Sequence, residues 1–340
     1  MNYILKDENA VFYECGYSCD NEIFLRVGER AFFLTDARYG IEAMENIAGA
    51  EVIVINRPLI KEARLLLRRL GVKNLIFDPN DFSYADFKAL SENSHIKFTP
   101  KPFFSKLKRI IKRPDEIEIL KKAAKFGADC FDKFANFLNE KGENLSEKEL
   151  FYNANLIFTD TGNLGLSFDP IVAINKNAAK AHALPSGDSL KKGDLVLLDG
   201  GVKFKRYCSD RTRTALYDGN LKFTKEQKFA NSKMQEVYEI VKEAQNLAIK
   251  AVKPGIQASE VDFAAREFIR KAGFEKEFFH STGHGVGIDI HEFPVINAKS
   301  KTILQEGMVF SVEPGIYLQN EFGVRIEDVV VVTANGCEIL

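Results

Sequence analysis

The feature that most constrains the fold is an order of elements that occurs twice in the last two thirds of the chain. In each case a long helical segment is followed by a shorter one and then by a β region with two acidic residues. Asp199 lies 85 residues after Pro114, where the first helix is expected to begin, and Glu313 lies 89 residues after Thr224, where the third is. This layout predicts an internal duplication, with two facing sheets, helices outside and acidic residues meeting in the middle.

Helix-end signals set the expected bounds of these elements. Proline and acidic residues suit a first helical turn, a Ser or Thr followed three residues later by Glu or Gln forms a capping box, and glycine ends a helix. The predicted helices run from Pro114 to Gly142, Ser146 to Gly162, Thr224 to Pro254-Gly255 and Ser259 to Gly273, and the β regions span Leu195 to Leu216 and Met308 to Thr333.

Each β region is predicted to bring two carboxylates together across a hairpin. The midpoint of Asp199 and Asp210 falls between residues 204 and 205, and that of Glu313 and Glu327 falls at Asn320, inside a credible turn sequence. Opposed side chains lie about 5 Å apart, and like charges at that distance destabilise a sheet unless a cation or a proton neutralises them. Solvent-facing acids are the alternative, but the apolar run before Asp199 favours burial, and hence a metal site.

Three histidines form a cluster in the sequence between the two acid pairs. His280, His284 and His291 fall within twelve residues, and glycines flank His284 on both sides. One such histidine alone would be taken as a core residue, but three beside glycines, which let a backbone turn tightly, indicate a functional site. The glycine run lacks the dinucleotide-binding spacing and the preceding strand, so it does not predict phosphate binding.

The first part of the chain is predicted to be a separate α/β domain. Short strand-like runs alternate with a helical one, and a Lys- and Pro-rich stretch from Thr99 to Arg113 is interpreted as a linker. The predicted domains are therefore residues 1–110 and 111–340. The expected elements are strands at Ala31 to Thr35, Val52 to Asn56 and Leu75 to Asp78, and a helix at Lys61 to Leu70.

Charge and cysteine usage exclude several classes of protein. With 47 Lys and Arg against 48 Asp and Glu, the net charge of -1 offers no general field for nucleic acid or anionic lipid. The five cysteines form no Cys-x-x-Cys pair, which is typical of a reduced compartment. With no signal-peptide pattern and no long apolar run, the sequence predicts a cytoplasmic protein that binds neither membrane nor nucleic acid.

Five motifs taken together resemble the pita-bread metallopeptidases, a family that includes Xaa-Pro aminopeptidase, prolidase and methionine aminopeptidase. The resemblance covers residues 110–340, and a weaker one at residues 33–39 is similar to a creatinase-type N-terminal domain. The motifs are Leu198-Asp199-Gly200-Gly201, Ser209-Asp210-Arg211-Thr212-Arg213-Thr214, Thr282-Gly283-His284-Gly285-Val286-Gly287, Val312-Glu313-Pro314-Gly315 and Val324-Arg325-Ile326-Glu327-Asp328.

The resemblance implies a role for each of these side chains. Asp199 would bind one metal ion, Asp210 and Glu327 would bridge two, and His284 and Glu313 would bind the second. His182, His280 and His291 would contact substrate, although His182 precedes a proline here, whereas many members have the proline immediately before that histidine. On a strand, Arg325 shares the face of Glu327 and is expected to orient ligand carboxylates, whereas Cys208 is expected to pack.

Four carboxylates and one imidazole form an oxygen-rich site that favours Mn²⁺ or Co²⁺, with Zn²⁺ and Fe²⁺ left open. In the expected mechanism two ions share a water and lower its pKa towards about 7. Glu313 transfers its proton to the leaving nitrogen, while His182 and His291 donate hydrogen bonds to the substrate carbonyl and the developing oxyanion. His280 is expected to line the proline subsite.

The expected activity is that of a metallo-exopeptidase, an Xaa-Pro aminopeptidase acting on peptides with proline in the second position. Xaa-Pro dipeptidase shares every motif and remains the main alternative, followed by methionine aminopeptidase. A non-catalytic module of this fold that binds peptides or proteins is a different class of function, which the five filled ligand positions disfavour. The resemblance also implies a homodimer.

Overall fold

The computed structural model describes residues 1–340, which form two compact units, residues 1–109 and 110–340. Both are mixtures of helices and sheets, as the sequence predicts. None of the helices combines the length and the apolar character that a membrane-spanning segment requires.

The first unit is built on a six-stranded sheet in the order β4-β3-β2-β1-β5-β6. The four predicted elements are confirmed as β3, β4, β5 and α3, with ends shifted by at most two residues. On α3, Leu59, Ala63, Leu66 and Leu67 are buried, which is one apolar face of a helix. The elements are β1 (Tyr3–Leu5), α1 (Glu8–Cys15), β2 (Glu22–Val27), β3 (Arg30–Thr35), α2 (Gly40–Asn46), β4 (Glu51–Val54), α3 (Leu59–Arg69), β5 (Asn74–Phe77), α4 (Tyr84–Ser91), β6 (Lys97–Pro100) and α5 (Phe104–Lys108).

The stretch interpreted as a linker is more ordered than predicted. Its first residues belong to β6, which pairs in parallel with β5, and α5 follows after a turn. The backbone N–H of Phe104 donates to the Asp78 carboxylate at 3.0 Å, which joins this turn to the end of β5. An edge strand of four residues and a helix of five are too short to show a periodicity, so composition alone was misleading here.

The second unit contains four helices and thirteen strands. Its sheets follow the orders β14-β13-β15-β18-β19, β12-β9-β8, β11-β10-β7 and β16-β17. The elements are α6 (Pro114–Phe137), α7 (Glu147–Phe158), β7 (Gly165–Leu166), β8 (Ile171–Ile174), β9 (Leu195–Asp199), β10 (Val202–Phe204), β11 (Tyr207–Cys208), β12 (Thr212–Leu216), α8 (Ser232–Ala251), α9 (Ala258–Lys271), β13 (Gly283–Gly285), β14 (Glu292–Ile296), β15 (Val309–Val312), β16 (Gly315–Leu318), β17 (Phe322–Arg325), β18 (Asp328–Thr333) and β19 (Gly336–Ile339).

The first pair of helices begins as the sequence predicts. Pro114 occupies the first turn of α6, and a π-helical turn at Leu138–Gly142 extends this helix to the predicted end. At α7 the capping box is present in both directions, since Ser146 accepts from the Glu149 N–H and the Glu149 side chain accepts from the Ser146 N–H. The box fixes the residue at which α7 begins.

The predicted start of the third helix at Thr224 is wrong, because α8 begins eight residues later at Ser232 with Asn231 as its cap. Gln227 does not complete a capping box. Its amide nitrogen donates to the carbonyls of Lys222 and Thr224, and its amide oxygen accepts from the Leu216 N–H at 3.1 Å. The same Thr and Gln therefore stabilise an irregular connection after β12, an alternative that such polar side chains offer to a helix.

Candidate active site

Strand ends position the acidic residues. Asp199 is the last residue of β9, Asp210 lies between β11 and β12, Glu313 follows β15 and Glu327 follows β17, while His284 lies within β13. The two β regions are joined directly, because the Glu327 N–H donates to the Thr212 carbonyl at 3.1 Å. Residues from both halves of the duplicated unit thus meet at one place.

The predicted register is correct for one acid pair and wrong for the other. In β16 and β17 Leu318 pairs with Phe322, so the hairpin is centred on Asn320 as predicted. In the first β region Phe204 pairs with Tyr207, and Asp199 lies opposite Thr212 instead of Asp210. The reason is a two-residue turn in which Lys205 and Arg206 both have positive φ, 47° and 74°. That conformation fits a tight hairpin but is not the choice expected for these residue types.

The side chains of His284, Asp210 and Glu327 converge, with one ligand atom from each lying within 4.8 Å of the others. His284 Nε2 lies 3.5 Å from Asp210 Oδ2 and 3.3 Å from Glu313 Oε1. The other ring nitrogen, Nδ1, lies 3.1 Å from the Gly285 carbonyl. A carbonyl can only accept, so Nδ1 carries the proton and Nε2 turns a lone pair towards the two carboxylates.

Burial and mutual repulsion make this cluster unfavourable without a cation. Burial, together with the neighbouring carboxylates, raises the pKa of Asp210 and of Glu327 well above their ordinary values. Burial also raises the pKa of Glu313 to about 7 and lowers the pKa of His284, which favours the neutral imidazole.

Two buried oxygen atoms of the cluster, Asp199 Oδ1 and Glu327 Oε1, have no hydrogen-bond partner. Buried polar atoms are almost always satisfied, so unpaired carboxylate oxygens beside a neutral imidazole lone pair match the needs of a metal ion. The residues therefore fit divalent metal, and Asp199, Asp210, His284, Glu313 and Glu327 are the groups that could hold it.

The glycines beside His284 serve close packing, which differs from the reason inferred from sequence. None of Gly283, Gly285 and Gly287 has positive φ. A Cβ on Gly283 would lie 1.8 Å from the Ser311 carbonyl oxygen, and one on Gly285 would lie 2.2 Å from that of Phe293. Side chains are excluded here because β13 lies tightly between its neighbouring strands, which is how His284 reaches the cluster.

Comparison with known proteins identifies the family. The model of metallopeptidase family M24 matches residues 118–334. The chain belongs to this family. It is 39% identical over 259 residues to an Xaa-Pro dipeptidase of Pyrococcus furiosus, which covers 76% of this chain and 71% of the relative.

Solved structures of M24 metallopeptidases have the same pita-bread fold. An Xaa-Pro dipeptidase from Bacillus anthracis superposes with a TM-score of 0.91 at 33% identity, covering 99% of this chain and 92% of that one. An X-Pro aminopeptidase from Thermotoga maritima gives 0.87 at 30% identity, covering 99% and 94%. This chain is therefore a metallopeptidase, a class of enzyme that uses divalent metal ions and acts on peptides.

In this M24 metallopeptidase, Arg325 links the acid cluster to residues that sequence reasoning missed. Its guanidinium donates to Asp199 Oδ2 at 2.6 Å and to the Tyr317 hydroxyl at 2.8 Å. It also donates to Thr212 Oγ1 at 3.1 Å, and that hydroxyl donates to Glu327 Oε2 at 2.7 Å. Arg325 thus lies where it can orient carboxylates. Thr212 belongs to the family motif around Asp210, whereas nothing in the sequence singles out Tyr317.

His280 has both ring nitrogens engaged. Nδ1 lies 2.8 Å from the Ser281 carbonyl and Nε2 lies 2.9 Å from the Tyr317 hydroxyl. The carbonyl requires a proton on Nδ1, and the hydroxyl, which accepts from Arg325, donates its own proton to Nε2. Burial lowers the pKa of His280 to about 4, so the ring is neutral. The ring can form part of the cavity wall, but it has no free N–H to donate to a substrate.

The five residues of the metallopeptidase cluster line a cavity of about 680 Å³. All three substrate histidines predicted from sequence line it, and both His182 and His291 are exposed. The His291 ring lies against that of His284, with centroids 4.3 Å apart. Cys208 takes no part, because it is buried and its thiol donates to the Ile288 carbonyl. Apolar lining comes from Phe151, Phe168, Pro170, Ile171, Leu184, Pro185, Ile290 and Val295.

Proposed function

We propose that this enzyme hydrolyses the peptide bond before proline in short peptides and releases the N-terminal residue, as an Xaa-Pro aminopeptidase. The names of similar proteins support the Xaa-Pro class, since these proteins include Xaa-Pro dipeptidases and an X-Pro aminopeptidase. A tertiary X-Pro amide has no N–H and a restricted backbone, so it needs a dedicated site. The apolar part of the cavity suits a proline ring.

We propose two divalent ions as cofactors, with Mn²⁺ favoured over Co²⁺, Zn²⁺ and Fe²⁺ because four of the five donors are carboxylates. Asp210 and Glu327 would bridge the ions, Asp199 would bind one, and His284 and Glu313 would bind the other. Bound ions would lower the pKa of a shared water to about 7 and polarise the scissile carbonyl.

The chain's own residues would bind substrate and move the proton. Glu313 Oε1 accepts a hydrogen bond from Ser311 Oγ at 3.1 Å, which orients the carboxylate proposed to pass a proton to the leaving nitrogen. His182 and His291 are exposed in the cavity and would donate to the substrate carbonyl and the oxyanion. His280, with no free N–H, would contact the proline ring through its face or edge.

The observation that carries the aminopeptidase proposal is the absence of an available cation in the cavity. Arg325 is the only Lys or Arg among its lining residues, and it already contacts Asp199 and Tyr317. A dipeptide places its free carboxylate directly after proline, where an enzyme selective for dipeptides needs a positive group. A tripeptide has a neutral amide there, which this lining accepts without a charged partner.

Activity on Xaa-Pro dipeptides and on Xaa-Pro-Yaa tripeptides, each titrated with Mn²⁺, tests this proposal. We expect kcat/KM to be higher for the tripeptides. A preference for dipeptides would favour the alternative, Xaa-Pro dipeptidase. The similar proteins from Pyrococcus furiosus and Bacillus anthracis carry that name. Hydrolysis of Met-Ala-Ser alone would point to methionine aminopeptidase.

Asp210→Ala and Glu327→Ala should abolish activity and lower metal content if both side chains bridge ions. A wild-type protein that takes up no divalent ion and hydrolyses none of these peptides would favour a non-catalytic binding module. We further propose that residues 1–110 form a creatinase-type domain and that the enzyme is a cytoplasmic homodimer. Light scattering would measure the mass of the oligomer.

A further inference from the structure

One buried carboxylate holds both ends of the segment that carries His182. Glu147, the first residue of α7, is completely buried. Its Oε1 accepts from the Ile174 N–H at 2.6 Å, and its Oε2 accepts from the Ser186 N–H, also at 2.6 Å. The two ends of the segment 174–186 are therefore bound to the same side chain, and His182 lies in the loop between them.

Asn177 extends this contact into the loop. Its amide nitrogen donates to Glu147 Oε2 at 2.7 Å and to the Leu184 carbonyl at 2.9 Å. Asn177 is itself buried, and Leu184 lines the active-site cavity. The carboxylate is thus connected to the chain on both sides of His182 and, through Asn177, to the cavity wall at Leu184.

On the side of the acid cluster, the loop is joined to Arg325 by a hydrogen bond. The Ala181 carbonyl accepts from Arg325 at 3.2 Å, a longer contact than any of the three to Glu147. None of the five proposed metal ligands lies within residues 174–186. The proposed ligand set therefore contains no residue of the segment that Glu147 holds.

We propose that Glu147 is a positioning residue for substrate binding, which acts by fixing the loop that carries His182. This inference rests on the proposed function, in which His182 donates to the substrate carbonyl. Three hydrogen bonds to a buried carboxylate hold the segment that carries the imidazole, so less ordering of this loop remains when substrate binds.

Glu147→Gln is the perturbation that tests this role. The glutamine has nearly the same shape but presents an NH₂ where one carboxylate oxygen stood, so at least one N–H donor of the loop loses its acceptor. Glu149→Gln is the matched control, because Glu149 lies in the same helical turn, is exposed, and can keep its capping bond as glutamine.

For Glu147→Gln we expect kcat/KM on an Xaa-Pro-Yaa tripeptide to fall between about tenfold and a hundredfold, as for a small misplacement of a binding group. Calorimetry should find a Kd for Mn²⁺ within about twofold of wild type, because no ligand moves. Hydrogen exchange should accelerate at the amides of Ile174 and Ser186 but not in α8. Glu149→Gln should behave as wild type in all three.

A double-mutant cycle with His182→Ala separates positioning from general weakening. If Glu147 acts through His182, adding Glu147→Gln to His182→Ala should change kcat/KM by less than about twofold. A full additive loss, or unchanged exchange at the two amides, would overturn the proposal. If Glu147→Gln does not fold, Asn177→Ala is measured in the same cycle and should show a smaller loss that is again absent without His182. A His182→Ala enzyme as active as wild type would instead refute the proposed role of His182. The exchange rates at Ile174 and Ser186 would still test whether Glu147 fixes the loop.

Discussion

The buried ion pair between Lys112 and Glu292 offers a direct measure of how the fold supports the active site. Lys112 Nζ lies 3.0 Å from Glu292 Oε2, and the two side chains are 1% and 0% exposed. Glu292 Oε1 accepts from the Asp289 N–H at 3.1 Å, and Gly287 lacks the Cβ that would lie 2.5 Å from Glu292 Oε2. The pair thus holds the turn that presents His291.

Lys112→Met should strongly destabilise the protein. At 3.0 Å and an effective dielectric constant of about 20, the attraction is about 5 kcal/mol, which offsets the cost of burying both charges. Removing one partner leaves the other charge uncompensated, so each of Lys112→Met and Glu292→Gln should lower the free energy of unfolding by about 3–5 kcal/mol. The double variant should lose less than the sum of the two, with a coupling energy of at least about 2 kcal/mol.

Urea unfolding at pH 7 measures these values, followed by circular dichroism because the chain has no tryptophan. Lys121→Met is the control, since Lys121 and Glu338 are also 3.0 Å apart but 34% and 51% exposed. Removing this exposed pair should cost less than about 1 kcal/mol. If Lys112→Met costs no more than this control, or if the Lys112 and Glu292 effects simply add, the ion pair does not hold the turn.

Three further predictions concern single side chains. Burial and the carboxylates of Asp78 and Asp7 raise the pKa of Asp81 to about 7, so the native state gains stability at low pH and loses it as pH rises through about 7. Asp81→Asn should therefore raise the free energy of unfolding by about 1–2 kcal/mol at pH 8, after discounting for partial exposure, and change it little near pH 4. Tyr317→Phe removes the hydroxyl between Arg325 and His280; it should cost about 1–3 kcal/mol in unfolding and lower kcat/KM, and equal kinetics for the two proteins would contradict the network. Gly283→Ala should prevent soluble expression or cost more than about 3 kcal/mol, since its Cβ would lie 1.8 Å from a backbone oxygen, and a normal melting temperature would disprove that packing.

Much of the acid cluster could be predicted because its signals are local in sequence. The turn at Asn320 predicts the hairpin between Glu313 and Glu327, and the apolar run before Asp199 predicts the strand that ends at this residue. The register at Asp210 could not be predicted, because a tight turn at Lys205 and Arg206 uses positive φ values that these residue types seldom adopt. The start of α8 was missed for a related reason, since the Gln227 side chain can bond to a loop as well as to a helix.

The positions of the three histidines proposed to contact substrate depend on long-range contacts that no local pattern contains. His182 is positioned through Glu147, and His291 through Glu292 and Lys112. For His280 the corresponding group is Asp262, a buried carboxylate that accepts from Thr282 Oγ1 and from Arg266.

Arg266 in turn donates to the His280 carbonyl at 2.8 Å. In all three cases a buried carboxylate, itself satisfied by N–H or O–H donors, stands behind the segment that carries a histidine. The proposed metal ligands would be held by the ions they share, whereas the histidines proposed to contact substrate would have no metal ion to hold them. The fold must therefore position these histidines before substrate binds. Hydrogen bonds to a buried carboxylate serve this purpose because they are stronger than hydrogen bonds between neutral groups.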